Sequence, residues 1–232
     1  MEIRKHIPNL FTLGNLLCGC IGTIEALHGN LINAAWLIWA AAVFDFLDGF
    51  LARLLRTHSE IGKQLDSLAD MITFGVLPSM IMFEMLNQVS GILWLPYFAF
   101  LIALFSALRL AKFNIDENQS NSFIGLPTPA NALFISSFPF FVFKENFFLG
   151  ELIDLQWLLL IITVVFSYLM VANIEMIALK FKNFSWADNK IKFVLIGLSI
   201  LLIAGLKISG IPIIIILYVS LSGISNRFFV RN

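Results

Sequence analysis

Charge is what this sequence lacks most: Asp, Glu, Lys and Arg make up only 13% of its 232 residues, about half of the roughly 25% usual in soluble domains. So few ionised side chains cannot cover a water-facing globular surface. The charges also cancel, fifteen basic against fifteen acidic, which leaves no overall electrostatic pull toward nucleic acid, and no nucleic-acid partner is expected. Two cysteines, Cys18 and Cys20, are too few for a disulfide framework. Both lie inside one apolar run, where two-residue spacing points them to different sides of a helix, as core thiols. The three histidines, His6, His28 and His58, sit at loop edges without the spacing of metal ligands. A cleaved secretory signal is not expected either, because the first apolar run lacks a small-residue cleavage site and is followed by more of the same. No long linker or internal repeat stands out, so residues 1–232 are expected to form one domain.

What fills the space is apolar, with 59% hydrophobic side chains and 24 phenylalanines, so the solvent for most of the chain is lipid. A membrane-crossing helix needs roughly 20 mostly apolar residues. Stretches of that kind fall at 10–28, 33–55, 67–86, 92–113, 127–146, 157–179, 190–207 and 210–228. The fold class expected is therefore all-α, a polytopic membrane bundle of eight spans. Basic residues on short loops mark the cytoplasmic side. With both termini inside, thirteen of the fifteen fall there, from Arg4 and Lys5 to Arg227 and Arg231, and only Lys144 and Lys207 fall opposite. The last two segments are the weakest spans, since a hairpin lying partly in the interface leaves the same charge count.

Four aspartates break the apolar pattern. In the second span Asp45 and Asp48 are followed by Gly49, Ala52 and Arg53, five positions that share one helix face. The next helix begins near Ile61 and carries Gly62, Asp66 and Asp70 at four-residue spacing, so two acid pairs meet across a tight hairpin whose loop the charge count places on the cytoplasmic side. A carboxylate at the membrane centre costs about 2.5–3.5 kcal/mol on insertion scales, less toward the interface, and four clustered anions repel one another. Hard divalent cations offset both costs, because Mg²⁺ and Mn²⁺ prefer carboxylate oxygens. Gly49 and Ala52 clear room beside the acids, and Arg53 supplies a fixed cation suited to a phosphate oxygen. One such Asp alone reads equally as a helix cap or a solvated group, and Arg53 alone as an interface anchor; four acids in register around one loop do not. A metal channel is the rival from another class, but the outer halves of these helices are apolar and offer no continuous polar path.

The run Asp45-x2-Asp48-Gly49-x2-Ala52-Arg53-x8-Gly62-x3-Asp66-x3-Asp70 resembles, at all eight positions, the signature of the CDP-alcohol phosphotransferases. That resemblance implies a membrane-embedded six-helix core, here about residues 1–180 with two extra helices at 190–228, and usually a homodimer. It implies that Asp45, Asp48, Asp66 and Asp70 bind two divalent ions, Mg²⁺ or Mn²⁺. It further implies that Asp45, Asp48, Gly49, Ala52, Arg53, Gly62 and Asp66 surround the CDP moiety, with Asp70 the general base on the acceptor alcohol.

Three further segments narrow the acceptor. Asn9, Thr12 and Asn15 recur every third residue at the start of the first span as a polar stripe, which ligand contact and satisfied internal hydrogen bonds explain equally well. Ser106-Ala-Leu-Arg109-Leu-Ala-Lys112-Phe-Asn114 and Phe123-Ile-Gly125-Leu-Pro127-Thr128-Pro129-Ala130 follow. Together these are similar to the serine-accepting branch of the family, with Lys112 in a place where that branch suggests arginine. The resemblance implies transfer of a phosphatidyl group from CDP-diacylglycerol to L-serine, in a cell membrane with the site on the cytoplasmic side. Arg109, near the cytoplasmic end of the fourth span, suits the serine carboxylate bidentately; an internal ion pair or snorkelling to lipid headgroups are its other readings. Lys112, Asn114 and Thr128 are the remaining candidate serine contacts. Glycerol phosphate or inositol phosphate acceptors would call for more basic residues at this depth than Arg53, Arg109 and Lys112.

Overall fold

The computed structural model describes residues 3–57, 59–115, 123–142, 154–177 and 185–229; His58, Lys144, Lys180 and Lys182 lie outside them. Helix α1 (Ile3–Leu27) and helix α2 (Leu31–Leu55) form a tight antiparallel pair. The turn between them depends on Gly29, whose φ of +77° is a left-handed conformation that costs glycine little. Helix α2 stops where Arg56 takes a left-handed conformation (φ +52°). The Arg56 and Thr57 amides then close on the carbonyls of Arg53 and Ala52, which satisfies the end of the helix.

Ser59 starts the next helix by accepting a hydrogen bond from the Gly62 amide at 3.0 Å, the ordinary role of a serine N-cap. Helix α3 then runs from Glu60 to Val89, thirty residues, and Met71–Val76 in its middle is wound as π-helix directly after Asp70. It is the central helix: Thr73, Phe74, Leu77, Ile81, Met82, Met85 and Leu86 are all fully buried. Helix α1 crosses α3 closely enough that a Cβ on Gly19 would collide with Thr73 Oγ1, and one on Gly22 would stand 2.5 Å from Leu77 Cδ2. Small residues at such crossings let backbones approach, and this approach carries Thr12 and Asn15 to the acids.

Helix α4 (Leu95–Ile115) opens as 3-10 helix through Phe100. Helix α5 (Thr128–Ser137) ends in a 3-10 turn, Phe138–Phe140, and Phe134 on it stacks on Phe166 of α6 (Leu155–Val171) with ring centroids 3.7 Å apart. Strands β1 (Phe123–Ile124) and β2 (Glu175–Met176) form a short antiparallel pair, Phe123 opposite Met176. Helix α7 (Trp186–Leu206) turns over at Lys207 (φ +53°) into α8 (Gly210–Phe229), which packs back on α7 and also reaches α5 and β2.

Among the described residues, eight helices follow one another in the order expected, and their apolar faces make this a polytopic membrane bundle. Five runs among the described residues are long and apolar enough to cross a membrane, namely residues 6–27, 31–55, 60–89, 95–115 and 189–224. Two expectations differ from the structure. The third helix starts at Glu60, close to the expected Ile61, but the membrane-length run also begins there rather than at residue 67, because Ser59 caps first turns too polar to register as a span. The sixth ends at Val171 rather than 179, because the next residues leave the helix to bond another segment: Ile174 accepts from the Gly125 amide at 2.9 Å, and β2 then pairs with β1. Of the expected fifth span, helical structure continues to Phe140, and residues 143–146 lie outside the described residues.

Gly125 is where that second arrangement is most exposed to mutation. Its φ is +77°, and a Cβ there would run into the Met170 carbonyl oxygen, whereas Gly29 has the same φ in open space. Gly125→Ala should lower stability by about 2–4 kcal/mol and Gly29→Ala by about 1 kcal/mol, measured as thermal unfolding in detergent; equal losses would show that the Met170 contact does not matter.

Candidate active site

Helices α2 and α3 each present two carboxylates to the same space. One oxygen each from Asp45, Asp48 and Asp66 lie within 4.8 Å of one another, and Asp70 sits one turn further along α3 with only 8% of its surface exposed. Octahedral Mg²⁺ holds oxygens at about 2.1 Å, so opposite ligands stand about 4.2 Å apart. The three oxygens are therefore within a small side-chain adjustment of sharing one ion. Asp66 also keeps Oδ1 buried with no hydrogen-bond partner, an atom that water or protein would normally satisfy. The donor set is all carboxylate, which suits hard cations, so the residues present fit a divalent metal.

Helix α1 supplies the hydrogen-bond donors. Thr12 Oγ1 lies 2.7 Å from Asp48 Oδ2 and donates to it, and Asn15 Nδ2 donates to Asp70 Oδ1 at 3.1 Å. Asn15 is itself held, because its carbonyl accepts from Thr73 Oγ1 at 3.1 Å, inside the π-helical segment. Two members of the polar stripe thus form internal hydrogen bonds to the acids. The third, Asn9, borders a cavity.

That cavity, about 220 Å³, is bounded by the start of α1, by Asp48, Gly49 and Ala52 of α2, and by Ser59, Gly62, Lys63 and Asp66 across the loop. Nothing lies within 4 Å of where a Gly49 Cβ would be, while one on Gly62 would stand 3.0 Å from Ser59 Oγ and 3.2 Å from Asn9 Oδ1. The small residue at 49 therefore answers to open space and that at 62 to its neighbours. Arg53 is exposed and lines neither this cavity nor the next; its Nε donates to the Gly49 carbonyl at 3.0 Å.

A second cavity, about 460 Å³, opens on the other side of Asp66 and is walled by Asp45, Asp70, Arg109, Thr128, Ile177 and Tyr218 among others. Arg109 is 9% exposed and its Nε is buried without a partner; Thr128 is fully buried and its hydroxyl is also unpartnered. Lys112 is exposed and faces a separate cavity of about 360 Å³ on the far side of Arg109. Asn114 ties the end of α4 to α3: its side-chain amide lies 2.9 Å from Ser67 Oγ and its carbonyl accepts from Lys63 Nζ at 3.1 Å. The structure thus brings Arg109 and Thr128 to the aspartates, and sets Lys112 and Asn114 outside that cavity.

Ser67, Lys63, Ile177 and Tyr218 escaped the sequence reading. Ser67 and Lys63 lie on a helix already marked by its acids. Tyr218 had only a faint signal, being the single phenol in the isoleucine-rich run of α8, and Ile177 had none.

Asp66→Asn keeps the shape and removes a charge from the oxygen cluster. Mn²⁺ titrated into detergent-solubilised protein, followed by electron paramagnetic resonance, should bind at least about tenfold more weakly in this variant, as loss of one charge-assisted contact implies; unchanged affinity would place the ion elsewhere.

The sequence profile of the CDP-alcohol phosphatidyltransferase family matches residues 5–169, a span that contains all four aspartates, Arg109 and Thr128. A CDP-diacylglycerol–serine O-phosphatidyltransferase of Helicobacter pylori is 37% identical over 202 residues, 86% of this chain and 83% of the relative. One of the same name from Bacillus subtilis is 38% identical over 129 residues, 54% of this chain and 70% of the relative. An archaetidylserine synthase of Methanothermobacter thermautotrophicus is 36% identical over 141 residues, 57% of each. A profile match across well over half the sequence, with the acids it covers converging in space, makes this chain a member of the CDP-alcohol phosphatidyltransferase family.

Proposed function

We propose that this enzyme transfers the phosphatidyl group of CDP-diacylglycerol to the hydroxyl of L-serine, giving phosphatidylserine and CMP. The observation that carries the reading is the pair of cavities on either side of Asp66: one flanked by the small residues of the signature, the other containing both Asp70 and Arg109. The nucleotide diphosphate occupies the first, where Gly49 leaves the α2 surface open and Arg53 needs only to exchange the Gly49 carbonyl for a phosphate oxygen. Serine occupies the second. Its carboxylate meets the Arg109 guanidinium, a bidentate match in a site too dry to leave a cation unpaired, and its hydroxyl faces Asp70.

Two ions, Mg²⁺ or Mn²⁺, held by Asp45, Asp48, Asp66 and Asp70 would neutralise the diphosphate when bound. The protein's own residues do the rest. Asn15 fixes the Asp70 carboxylate through Oδ1, which leaves Oδ2 for the serine proton, and Thr73 fixes Asn15 in turn. As the serine oxygen bonds to phosphorus, the bond from phosphorus to the CMP oxygen breaks and the proton passes to Asp70. Thr12 holds Asp48 in the same manner on the donor side. We place the site on the cytoplasmic side of a cell membrane, by the distribution of basic residues, in a single-domain chain acting as a homodimer.

Purified protein with Mn²⁺ or Mg²⁺ should release CMP from CDP-diacylglycerol with serine, and not with glycerol 3-phosphate or inositol phosphate. The reverse pattern would sink the acceptor assignment while leaving the family intact. Asp70→Asn should lower kcat by about 10²–10⁴-fold, the usual worth of a general base. Gly49→Ala offers a sharper contrast: alanine in a helix interior gains about 0.5–1 kcal/mol of stability over glycine, yet here it intrudes on the donor cavity. Thermal unfolding should hold or rise while the KM for CDP-diacylglycerol climbs several-fold; parallel losses in both would indicate a packing role instead.

A further inference from the structure

The wall of the serine cavity is completed by residues that come after the family-matched span. Ile177 and Tyr218 line it together with Asp70 and Arg109, whereas the profile match ends at residue 169. One turn of α8 holds both backbone groups of Ile177: Tyr218 OH donates to its carbonyl at 3.2 Å, and its amide donates to Ser222 Oγ at 3.1 Å. Ser222 spends its own proton on the Tyr218 carbonyl at 2.7 Å. The phenol proton is therefore committed, which leaves the oxygen of this cavity-lining phenol its lone pairs as an acceptor.

Serine needs three recognitions, and the proposed function assigns two, Arg109 to the carboxylate and Asp70 to the hydroxyl. The ammonium requires a neutral or negative acceptor on a third wall. Ser67 is engaged with Asn114, the Thr128 hydroxyl lines the cavity with its own proton still to donate, and the aspartates serve the cation and the proton transfer. Tyr218, by contrast, is only partly buried, comes from a helix that none of the other groups occupies, and stands near the Arg109 guanidinium, so a serine carboxylate on Arg109 would bring the ammonium, one carbon away, toward the phenol. We propose that the Tyr218 phenol oxygen accepts a hydrogen bond from the ammonium of serine, and so makes α8 the element that distinguishes an amino-acid alcohol from one without nitrogen. This rests on the serine reading above.

The test compares wild type with Tyr218→Phe in membranes and in detergent, using serine as substrate and 3-hydroxypropionate, which is serine without its amino group, as competitive inhibitor. Tyr218→Phe should raise the serine KM about 10-fold or more, as loss of a hydrogen bond to a charged group implies, with kcat and the KM for CDP-diacylglycerol changed by less than about twofold. The inhibition constant of 3-hydroxypropionate should be the same in both proteins, since it never reaches the phenol. If that constant rises in step with the serine KM, or if Ser222→Ala, which loosens the grip on Ile177 without touching the phenol, reproduces the whole effect, Tyr218 only shapes the wall and the proposal falls. A wild-type enzyme that does not use serine at all would instead overturn the functional reading, a distinct result.

Discussion

Four carboxylates brought together in an apolar bundle are the constraint on which the rest of this structure turns. Each resists dehydration, and each raises the cost of the others, so the cluster persists only if donors and a cation are placed against it. The protein answers with α1, whose Thr12 and Asn15 reach Asp48 and Asp70. That demand explains the close crossing of α1 on α3, and hence why Gly19 and Gly22 have no room for a side chain. Packing that looks like ordinary membrane-helix contact is set by the need to deliver two donors to two anions.

The π-helical turn after Asp70 serves the same end. An extra residue in one turn rotates the second half of α3 relative to the first. The acids of the first half then face α2, while the second half buries a mostly apolar face from Phe74 to Leu86, in which the one buried hydroxyl, on Ser79, donates to the Val76 carbonyl. Thr73, inside this segment, reaches back to hold the carbonyl of Asn15. The irregular turn therefore joins a polar duty to an apolar one without ending the helix.

Much of this was legible in the sequence, for reasons that differ by residue. Asp45, Asp48, Asp66 and Asp70 were visible because charge in an apolar run is rare and helical spacing alone fixes which residues share a face. Arg109 stood out for the same reason. Thr12 and Asn15 could be assigned to a face but not to a partner, since nothing local distinguishes a donor to a ligand from a donor to a neighbouring helix. Lys112 and Asn114 show the limit of motif reasoning: both lie within a few residues of Arg109, yet the turn of α4 sends one to the outside of the cavity and the other to Ser67. The β1–β2 pair could not be foreseen, because two-residue strands carry no periodicity. Tyr218 depended on a tertiary contact from the far end of the chain.

The order in which the site is encoded has its own consequence. Every carboxylate, and both donors that steady them, are complete by Val89, whereas the opposite wall draws on Arg109, Thr128, Ile177 and Tyr218, scattered over the remaining sequence. A chain made from its N-terminus thus finishes the acid cluster long before the wall that faces it across the cavity. The first rests on three consecutive helices, whereas a substitution in the second alters one wall residue without disturbing the acids.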